Sequence, residues 1–199
     1  MVYKQSNRNV LGRLNHPGLA LFGMAGATLA WGADLDTIGW TELLEIRPEL
    51  NGAGLELVQV EAAVPGGGYH VDPGETGLET ERFKYFSSSS PEGEVFSELL
   101  ESDHANLVGR RFFGETGVVE VPDSIEVFEA SYFFNSVVGP SRTIDGAVIN
   151  QSFIFSTTDE ETRSAIDQAY DRYVLNRDVL IVSGVSNGSA SEPPSPSTA

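Results

Sequence analysis

The sequence contains no cysteine, and this absence removes several classes of chemistry at once. Disulfide bridges, thiolate zinc sites and cysteine nucleophiles are all excluded. A chain of 199 residues does not need such staples, because a single core of that size buries well over half of the surface that the unfolded chain exposes. We therefore expect one principal folded domain.

Lysine is nearly absent as well. Only Lys4 and Lys84 are present, whereas acidic side chains number 29 and the formal net charge is −17. At low ionic strength such self-repulsion destabilises the compact state, but in molar salt the Debye length falls to roughly 3 Å and the repulsion is screened. This composition resembles that of proteins from extreme halophiles, although a high-GC bacterial or phage origin also depletes lysine. We favour the halophilic interpretation.

Acidic residues are missing from the whole stretch before Asp34. Lys4, Arg8 and Arg13 lie in this stretch, while 29 acidic and nine basic side chains follow it. A basic arm at residues 1–15 is suited to contact the acidic body of another copy. We therefore predict that Lys4, Arg8 and Arg13 take part in assembly, with a short mobile terminus as the alternative.

Long apolar runs are also lacking. Residues 17–30 follow basic residues and have the outline of a secretion signal, but three glycines interrupt them and Trp31 stands near the cleavage point. The stretch is too short and too glycine-rich for a membrane span. We predict no membrane span, and instead two buried strands with Leu19, Leu21 and Leu29 pointing inward.

Strand-like patterns are what the sequence has in abundance. Residues 55–61 alternate apolar and polar side chains, the mark of a half-buried strand. Comparable runs occupy residues 118–121, 125–130, 132–134, 147–149, 153–155 and 179–182. Glycine- and proline-containing turns between them predict a mainly β fold, a β-sandwich or barrel, over residues 16–186. A disordered Ser/Pro tail is predicted at 187–199.

One late amphipathic helix is predicted. Thr158 and Glu161 have the spacing of a capping box. An apolar stripe at helical spacing, which we expect to pack on a sheet, consists of Ala165, Ile166, Ala169, Tyr170, Tyr173 and Val174. A weaker helix is predicted after Pro91, with inward residues Val95, Phe96, Leu99 and Leu100.

The stretch 66–90 is long, polar and rich in glycine, which predicts a functional or mobile loop. In an assembling protein such a loop clamps a neighbouring copy, and the residues assigned to this contact are Tyr69, His70, Asp72 and Glu75. The alternatives are a weak ion site formed by His70 with Asp72, Glu75 and Glu79, or a simple solvated loop.

Recognisable catalytic motifs are absent. The G-x-S-x-G at 184–188 has no histidine after it, and neither H-E-x-x-H nor a phosphate-binding G-x-x-x-x-G-K-[ST] occurs. We predict no enzyme, no cofactor and no metal, although an acid-pair hydrolase stays open because 29 acids make some carboxylate pair inevitable. Arg110-Arg111 before two phenylalanines is expected in a strand, and sequence-specific nucleic-acid binding is not expected of so acidic a body.

The chain carries GLALF at residues 18–22, TIGWTE at residues 37–42 and a helix-then-strand pattern over 160–182. Together these features resemble the opening and the close of tailed-virus major tail (tube) proteins. The resemblance implies a β-sandwich with a flanking helix that stacks into rings through arms and loops. It also implies an acidic lumen for DNA, a virion location, and other copies of the chain and other virion proteins as partners.

Two further structural roles stay open. A jelly-roll capsid protein of a halophilic virus has similar length and β content, and a secreted or cell-surface β-domain fits if the N-terminus is a signal. Sizing chromatography in molar salt separates these classes, because a virion subunit forms rings, tubes or large oligomers. We predict a self-assembling virion subunit, first of all a tail tube protein.

Overall fold

The computed structural model describes residues 35–114, 116–119, 122–153, 155 and 160–184. The strands are Glu56–Glu61 (β1), Phe83–Phe86 (β2), Ser124–Glu129 (β3), Val148–Gln151 (β4) and Leu180–Ser183 (β5). The α-helices are Trp40–Ile46 (α1), Pro73–Thr76 (α2), Asp103–Phe112 (α3), Ala130–Phe133 (α4) and Glu160–Arg177 (α5), and a π-helix, Phe134–Val138, continues α4. The basic arm, the two N-terminal strands and the Ser/Pro tail predicted from the sequence lie outside the described residues.

The five strands form one sheet in the order β2-β3-β1-β4-β5, and every neighbouring pair is parallel. About 40% helix accompanies about 20% strand. The fold is therefore α/β, and the prediction of a mainly β sandwich or barrel is wrong. Parallel neighbours need long crossover connections, which is why helical segments alternate with the strands.

Strand β1 explains the error. Its alternation of apolar and polar residues predicts one solvated face, yet residues 57–61 are all buried. Gln59 and Glu61 point to the same side as Leu57, where Gln59 Nε2 donates a hydrogen bond to Ala105 O at 3.0 Å. Polar side chains that are buried and hydrogen-bonded imitate the pattern of a half-exposed strand.

Helices α4 and α5 and the π-helix cover one side of the sheet, hereafter the α5 face. Val60, Phe128 and Ile149 from the strands pack there in one apolar cluster. The buried residues of α5 in this cluster are Ile166, Ala169, Tyr170 and Tyr173. The prediction of a late amphipathic helix that packs on a sheet is confirmed, although Ala165 is exposed and Thr158 lies outside the described residues.

Helix α3 and the segment that leads to α2 cover the other side, hereafter the α3 face. Leu57, Ile125 and Val127 from the strands meet Val71 and Phe113 in a second apolar cluster. The central strand β1 contributes to both clusters, since Val58 and Val60 point to the α5 face. Covered on both sides, the parallel sheet is the core of the described part of the chain.

Some of the predicted strands and helices are confirmed and others are wrong. Strands β1, β3, β4 and β5 confirm the runs predicted around residues 55–61, 125–130, 147–149 and 179–182. Residues 132–134 are helical, so the strand prediction there is wrong. The helix predicted after Pro91 is also wrong: only a 3-10 turn, Glu98–Leu100, forms, and Val95 and Leu99 are 76% and 91% exposed.

Two elements were not predicted. Strand β2 lies inside the stretch 66–90, where its four residues are too few to stand out from the polar surroundings. Helix α3 ends in Arg110, Arg111 and Phe112, which the sequence places in a strand. Ser102 is the N-cap of this helix, and its Oγ accepts a hydrogen bond from the Ala105 N–H at 3.3 Å.

Candidate functional site

The carboxyl ends of the parallel strands lie at one edge of the sheet, hereafter the carboxyl edge. From β1 the chain continues toward the edge of the sheet formed by β2, whereas from the neighbouring β4 it continues toward the opposite edge, formed by β5. Ligands of open α/β sheets bind outside the carboxyl ends of the strands, where the direction of the connections changes. The end of β1 is therefore the place where topology favours a site.

Glu61 is the last residue of β1, and its side chain is 1% exposed. Glu61 Oε1 accepts a hydrogen bond from Gln59 Nε2 at 2.7 Å, and Oε2 lies 2.8 Å from His104 Nδ1. Burial raises the pKa of Glu61, while the hydrogen bonds from His104 and Gln59 act in the opposite direction. Both carboxylate oxygens are thus held by partners that offset part of the cost of burying a charge.

His104 is the second residue of α3, and its side chain is 51% exposed. Because Nδ1 faces the Glu61 carboxylate, a neutral imidazole that donates there keeps an unprotonated Nε2. A carboxylate partner of this kind fixes the orientation of the ring and favours the tautomer whose Nε2 is unprotonated. The Glu61–His104 pair is therefore able to take up a proton from a bound molecule.

A groove of about 290 Å³ lies on the α3 face between α3 and β4. The groove is lined by Leu107, Val108, Arg111, Phe112, Val118, Asn150 and Ser152. Leu107 and Val108 follow His104 by three and four residues and so share its side of the helix. The Glu61–His104 pair therefore stands beside a groove whose contacts are mainly apolar.

A hydroxyl group lies at the same edge. Val60 pairs with Gln151 across β1 and β4, and the next residues along the two chains are Glu61 and Ser152. Asn150 Nδ2 donates a hydrogen bond to Ser152 Oγ at 3.0 Å, and both residues line the groove. The carboxyl edge thus carries a carboxylate, an imidazole and a hydroxyl on adjoining elements.

The residues assigned to assembly lie elsewhere. Tyr69 and His70 are 2% and 0% exposed and belong to the interior of the α3 face. Asp72 caps α2, and Glu75 forms an ion pair with Arg110. Asp72 and Glu75 are therefore the members of this group that retain accessible surface. Three basic residues of the arm lie outside the described residues: Lys4, Arg8 and Arg13.

His70 has the surroundings of a neutral core histidine. Its ring stacks on Tyr85 at a centroid distance of 4.0 Å, and Nδ1 accepts a hydrogen bond from the Ser97 N–H at 3.2 Å. Burial lowers the pKa of His70 to about 4, against the opposing charge of Glu94. The imidazole is thus uncharged near neutral pH and packs as an aromatic ring.

The described part of the chain has neither a cluster of metal ligands nor a membrane-spanning helix. Within the described ranges, no three or more His, Asp or Glu side chains are grouped so as to hold a metal ion. His70, Asp72, Glu75 and Glu79 therefore do not form the ion site considered for the stretch 66–90. No helix in those ranges has both the length and the apolar character that crossing a membrane requires.

The Glu61–His104 pair was missed in the sequence for a physical reason. Glu61 completes the alternation of β1 and so resembles an exposed strand residue, while 43 positions separate it from His104. A partial signal existed, because Ser102-Asp103 before Ala105 has the character of a helix N-cap followed by an acidic first turn. Recognising that cap would have placed His104 at the start of a helix.

Comparisons with protein-family models, with curated proteins and with solved structures give no match to this chain. Neither a family nor the tail protein resemblance is therefore supported by a relative. What the described residues establish is a parallel α/β sheet with a buried carboxylate–imidazole pair at its carboxyl edge.

Proposed function

We propose that this chain binds a small, largely apolar molecule in the groove between α3 and β4 and carries out proton-transfer chemistry on it. The observation that carries the proposal is the contact of 2.8 Å between a fully buried Glu61 carboxylate and a half-exposed His104. A buried charge is costly, and in natural proteins such costs are concentrated at functional sites. His104 is the general base in this proposal, and Glu61 positions it.

The ligand class follows from the lining of the groove. Leu107, Val108, Phe112 and Val118 offer apolar contact, whereas Asn150 and Ser152 are hydrogen-bonding groups near its β4 wall. Pockets of this composition bind apolar molecules and use a few polar groups to orient them. A volume of about 290 Å³ suits a ligand of the size of a short acyl chain with a polar head.

Hydrolysis of p-nitrophenyl butanoate is a suitable test, because a positioned imidazole accelerates it as base or nucleophile. We expect His104→Asn to lower kcat/KM about 100-fold, the order of magnitude of a lost general base. Asp103→Asn is the matched control, since it alters the preceding exposed residue in the same helical turn and leaves the pair intact. Equal rates for the wild type and His104→Asn would refute the proposal.

The groove is tested separately with esters of increasing chain length. If the acyl chain lies along Val108, kcat/KM rises from acetate to butanoate to hexanoate in the wild type. Val108→Trp fills the groove and removes this dependence while leaving the acetate rate in place. A wild-type rate that does not change with chain length would reject the groove as the binding site.

A self-assembling virion subunit is the second candidate, and the exposed strand β5 favours it. Leu180 and Val182 are 59% and 50% exposed on the α3 face, and β5 is the last strand in the sheet order. The opposite edge is partly paired, because Tyr85 and Glu94 exchange backbone hydrogen bonds. Among the described residues β5 has a strand partner on one side only, and an unpaired apolar strand edge is a template for pairing with another chain.

Sizing chromatography in molar salt tests this second candidate. A self-assembling subunit elutes as a large oligomer, and Leu180→Lys with Val182→Lys returns it to the monomer position. Leu175→Lys is the control, because Leu175 is 84% exposed on α5, which covers the side of the sheet opposite Leu180 and Val182. A wild type that stays monomeric at high concentration would exclude the assembly role. The tail tube and jelly-roll forms of this role were predicted together with a β-sandwich, which the parallel sheet replaces.

A further inference from the structure

A cleft of about 200 Å³ lies on the α5 face, on the side of the sheet opposite the groove. Its floor consists of Lys84 and Phe86 from β2 and of Glu126 and Phe128 from β3. Its walls and rim are Tyr132, Val137, Pro91, Glu92 and residues 142–145. At about 30 Å³ per water the cleft has space for about seven waters, which suits a ligand of amino-acid size.

Glu126 is the acidic group of the floor. Its Oε2 is buried and has no hydrogen-bond partner among the described residues. Burial, followed by the charge of Asp145, raises the pKa of Glu126 to about 7, although Lys84 acts in the opposite direction. A buried acceptor without a partner is costly, and a donor on a ligand would remove that cost.

The aromatic part of the floor lies beside a cation. Phe86 and Phe128 stack with ring centroids 4.6 Å apart, and the Lys84 ammonium lies 5.1 Å from the Phe86 centroid. Ring faces attract cations at such distances. Because Lys84 already lies over Phe86, a ligand ammonium would meet the Glu126 carboxylate, and the stacked rings would form an apolar wall for the rest of the ligand.

Arg142 supplies the opposite charge at the rim. The backbone N–H of Arg142 donates a hydrogen bond to Val137 O at 2.8 Å, and the preceding Ser141 has a positive φ of 55°. Arg177 of α5 donates hydrogen bonds to Ser141 O and, at 2.9 Å, to Thr143 Oγ1. Hydrogen bonds to α5 thus flank Arg142 on both sides, and a guanidinium is the side chain best matched to a carboxylate.

We propose that this cleft binds a small zwitterion of the amino-acid type, with its ammonium group at Glu126 and its carboxylate at Arg142. Its apolar part lies against Phe86, Phe128 and Val137. This site is independent of the function proposed for the carboxyl edge, because it shares no residue with the groove or with the Glu61–His104 pair.

Calorimetric titration with three probes that share an isobutyl group tests the assignment: leucine, 3-methylbutylamine and 4-methylpentanoate. We expect leucine to bind most tightly and the carboxylate alone to bind least. Glu126→Gln weakens leucine and the amine about tenfold, whereas Arg142→Gln weakens leucine and leaves the amine unchanged. Glu160→Gln, an exposed acid at the start of α5, is the control that alters neither.

Amide chemical-shift mapping of the wild type keeps the test independent of whether the variants fold. Leucine should shift the amides of Lys84, Glu126 and residues 142–145, and leave those of α3 in place. Absence of leucine binding at millimolar concentration would overturn the proposal. So would equal affinity of the amine and the carboxylate, or shifts confined to other parts of the sheet.

Discussion

At the scale of residues, burial of Glu61 is the feature that most needs an explanation. A carboxylate that is 1% exposed gives up its hydration, and two hydrogen bonds from Gln59 and His104 replace only part of it. An apolar residue at the end of β1 would avoid this cost. The proton transfer that we propose for His104 would account for a buried Glu61 carboxylate beside this half-exposed imidazole.

The tautomer of His104 gives the first residue-scale prediction. An ionised Glu61 carboxylate can only accept a hydrogen bond, so we expect the neutral ring of the wild type to carry its proton on Nδ1. Glu61→Gln places an amide donor at this position and reverses the preference, so that the proton moves to Nε2. Long-range ¹H–¹⁵N correlation spectra above pH 8 distinguish the two tautomers. An Nε2–H tautomer in the wild type would contradict the described contact.

Glu126 gives the second prediction, on pH and stability. Its pKa is about 7 in the folded chain against an ordinary value of 4.5. A group whose folded pKa is raised stabilises the fold fully below its unfolded pKa, and this contribution is lost as pH rises through about 7. The wild type should therefore lose about 1–2 kcal/mol more than Glu126→Gln between pH 5 and pH 8, after a discount for partial exposure.

Urea unfolding of both proteins at the two pH values measures this difference. The comparison cancels the titration of groups that the two proteins share, among them Asp145, Glu56 and Lys84 around Glu126. Parallel pH dependences of the wild type and Glu126→Gln would show that Glu126 ionises like an exposed carboxyl.

At the scale of elements, strand β1 shows what the sequence could and could not predict. Its position and length follow from the pattern of residues 55–61, but its surroundings do not. Gln59 and Glu61 are polar, and their burial becomes evident only from their contacts with α3. Since a parallel sheet is normally recognised by continuous apolar strands, these two residues alone turn the interpretation toward an antiparallel sandwich.

Helix α5 allows a matched test of buried hydroxyl groups. The Tyr170 hydroxyl donates a hydrogen bond to Gln151 Oε1 at 2.6 Å, whereas the Tyr173 hydroxyl has no partner among the described residues. Tyr170→Phe should therefore cost about 1–2 kcal/mol of unfolding free energy, because Gln151 loses its partner. Tyr173→Phe should be neutral or slightly stabilising. Urea unfolding of the two variants measures both values, and equal losses would contradict the described contacts.

Helix α5 was predictable where α3 was not, because α5 has 18 residues, an acidic first turn and a basic last turn. The stripe on α5 meets an apolar surface, so Ile166, Ala169 and Tyr170 stand out at helical spacing. The buried positions of α3 are Ala105, Asn106 and Gly109, which are small or polar. Helix α3 is amphipathic as well, but it is short and ends in Arg110-Arg111-Phe112, a basic-aromatic cluster that was assigned to a strand.

At the scale of the whole molecule, the charge of −17 dominates. The described ion pairs include Arg47–Glu49, Glu75–Arg110 and Glu160–Arg163, which cannot offset so large an excess of acids. We predict that the midpoint of thermal unfolding rises by several degrees between 0.1 M and 2 M KCl, because salt screens the repulsion. A midpoint that is constant or falls with KCl would contradict the halophilic interpretation.

Composition predicts this electrostatic behaviour, but it does not predict the architecture. Length, charge and the late helix follow from residue types and spacing, whereas the strand order depends on which distant segments pair. The site has the same character, because Glu61 and His104 become neighbours only through packing of α3 on β1. Local patterns therefore describe the elements of this chain better than they describe its function.

Reaction of His104 with diethyl pyrocarbonate tests the central claim most directly, because it needs no knowledge of the ligand. The reagent acylates an unprotonated imidazole nitrogen, and peptide mass spectrometry follows His104 separately from His16 and His70. At pH 8.5 we predict that His104 reacts severalfold faster in the wild type than in Glu61→Gln, since a carboxylate that accepts from Nδ1–H leaves Nε2 unprotonated, whereas the amide favours a proton on Nε2. Equal rates for His104 in the two proteins would contradict the assignment of Glu61–His104 as the functional pair.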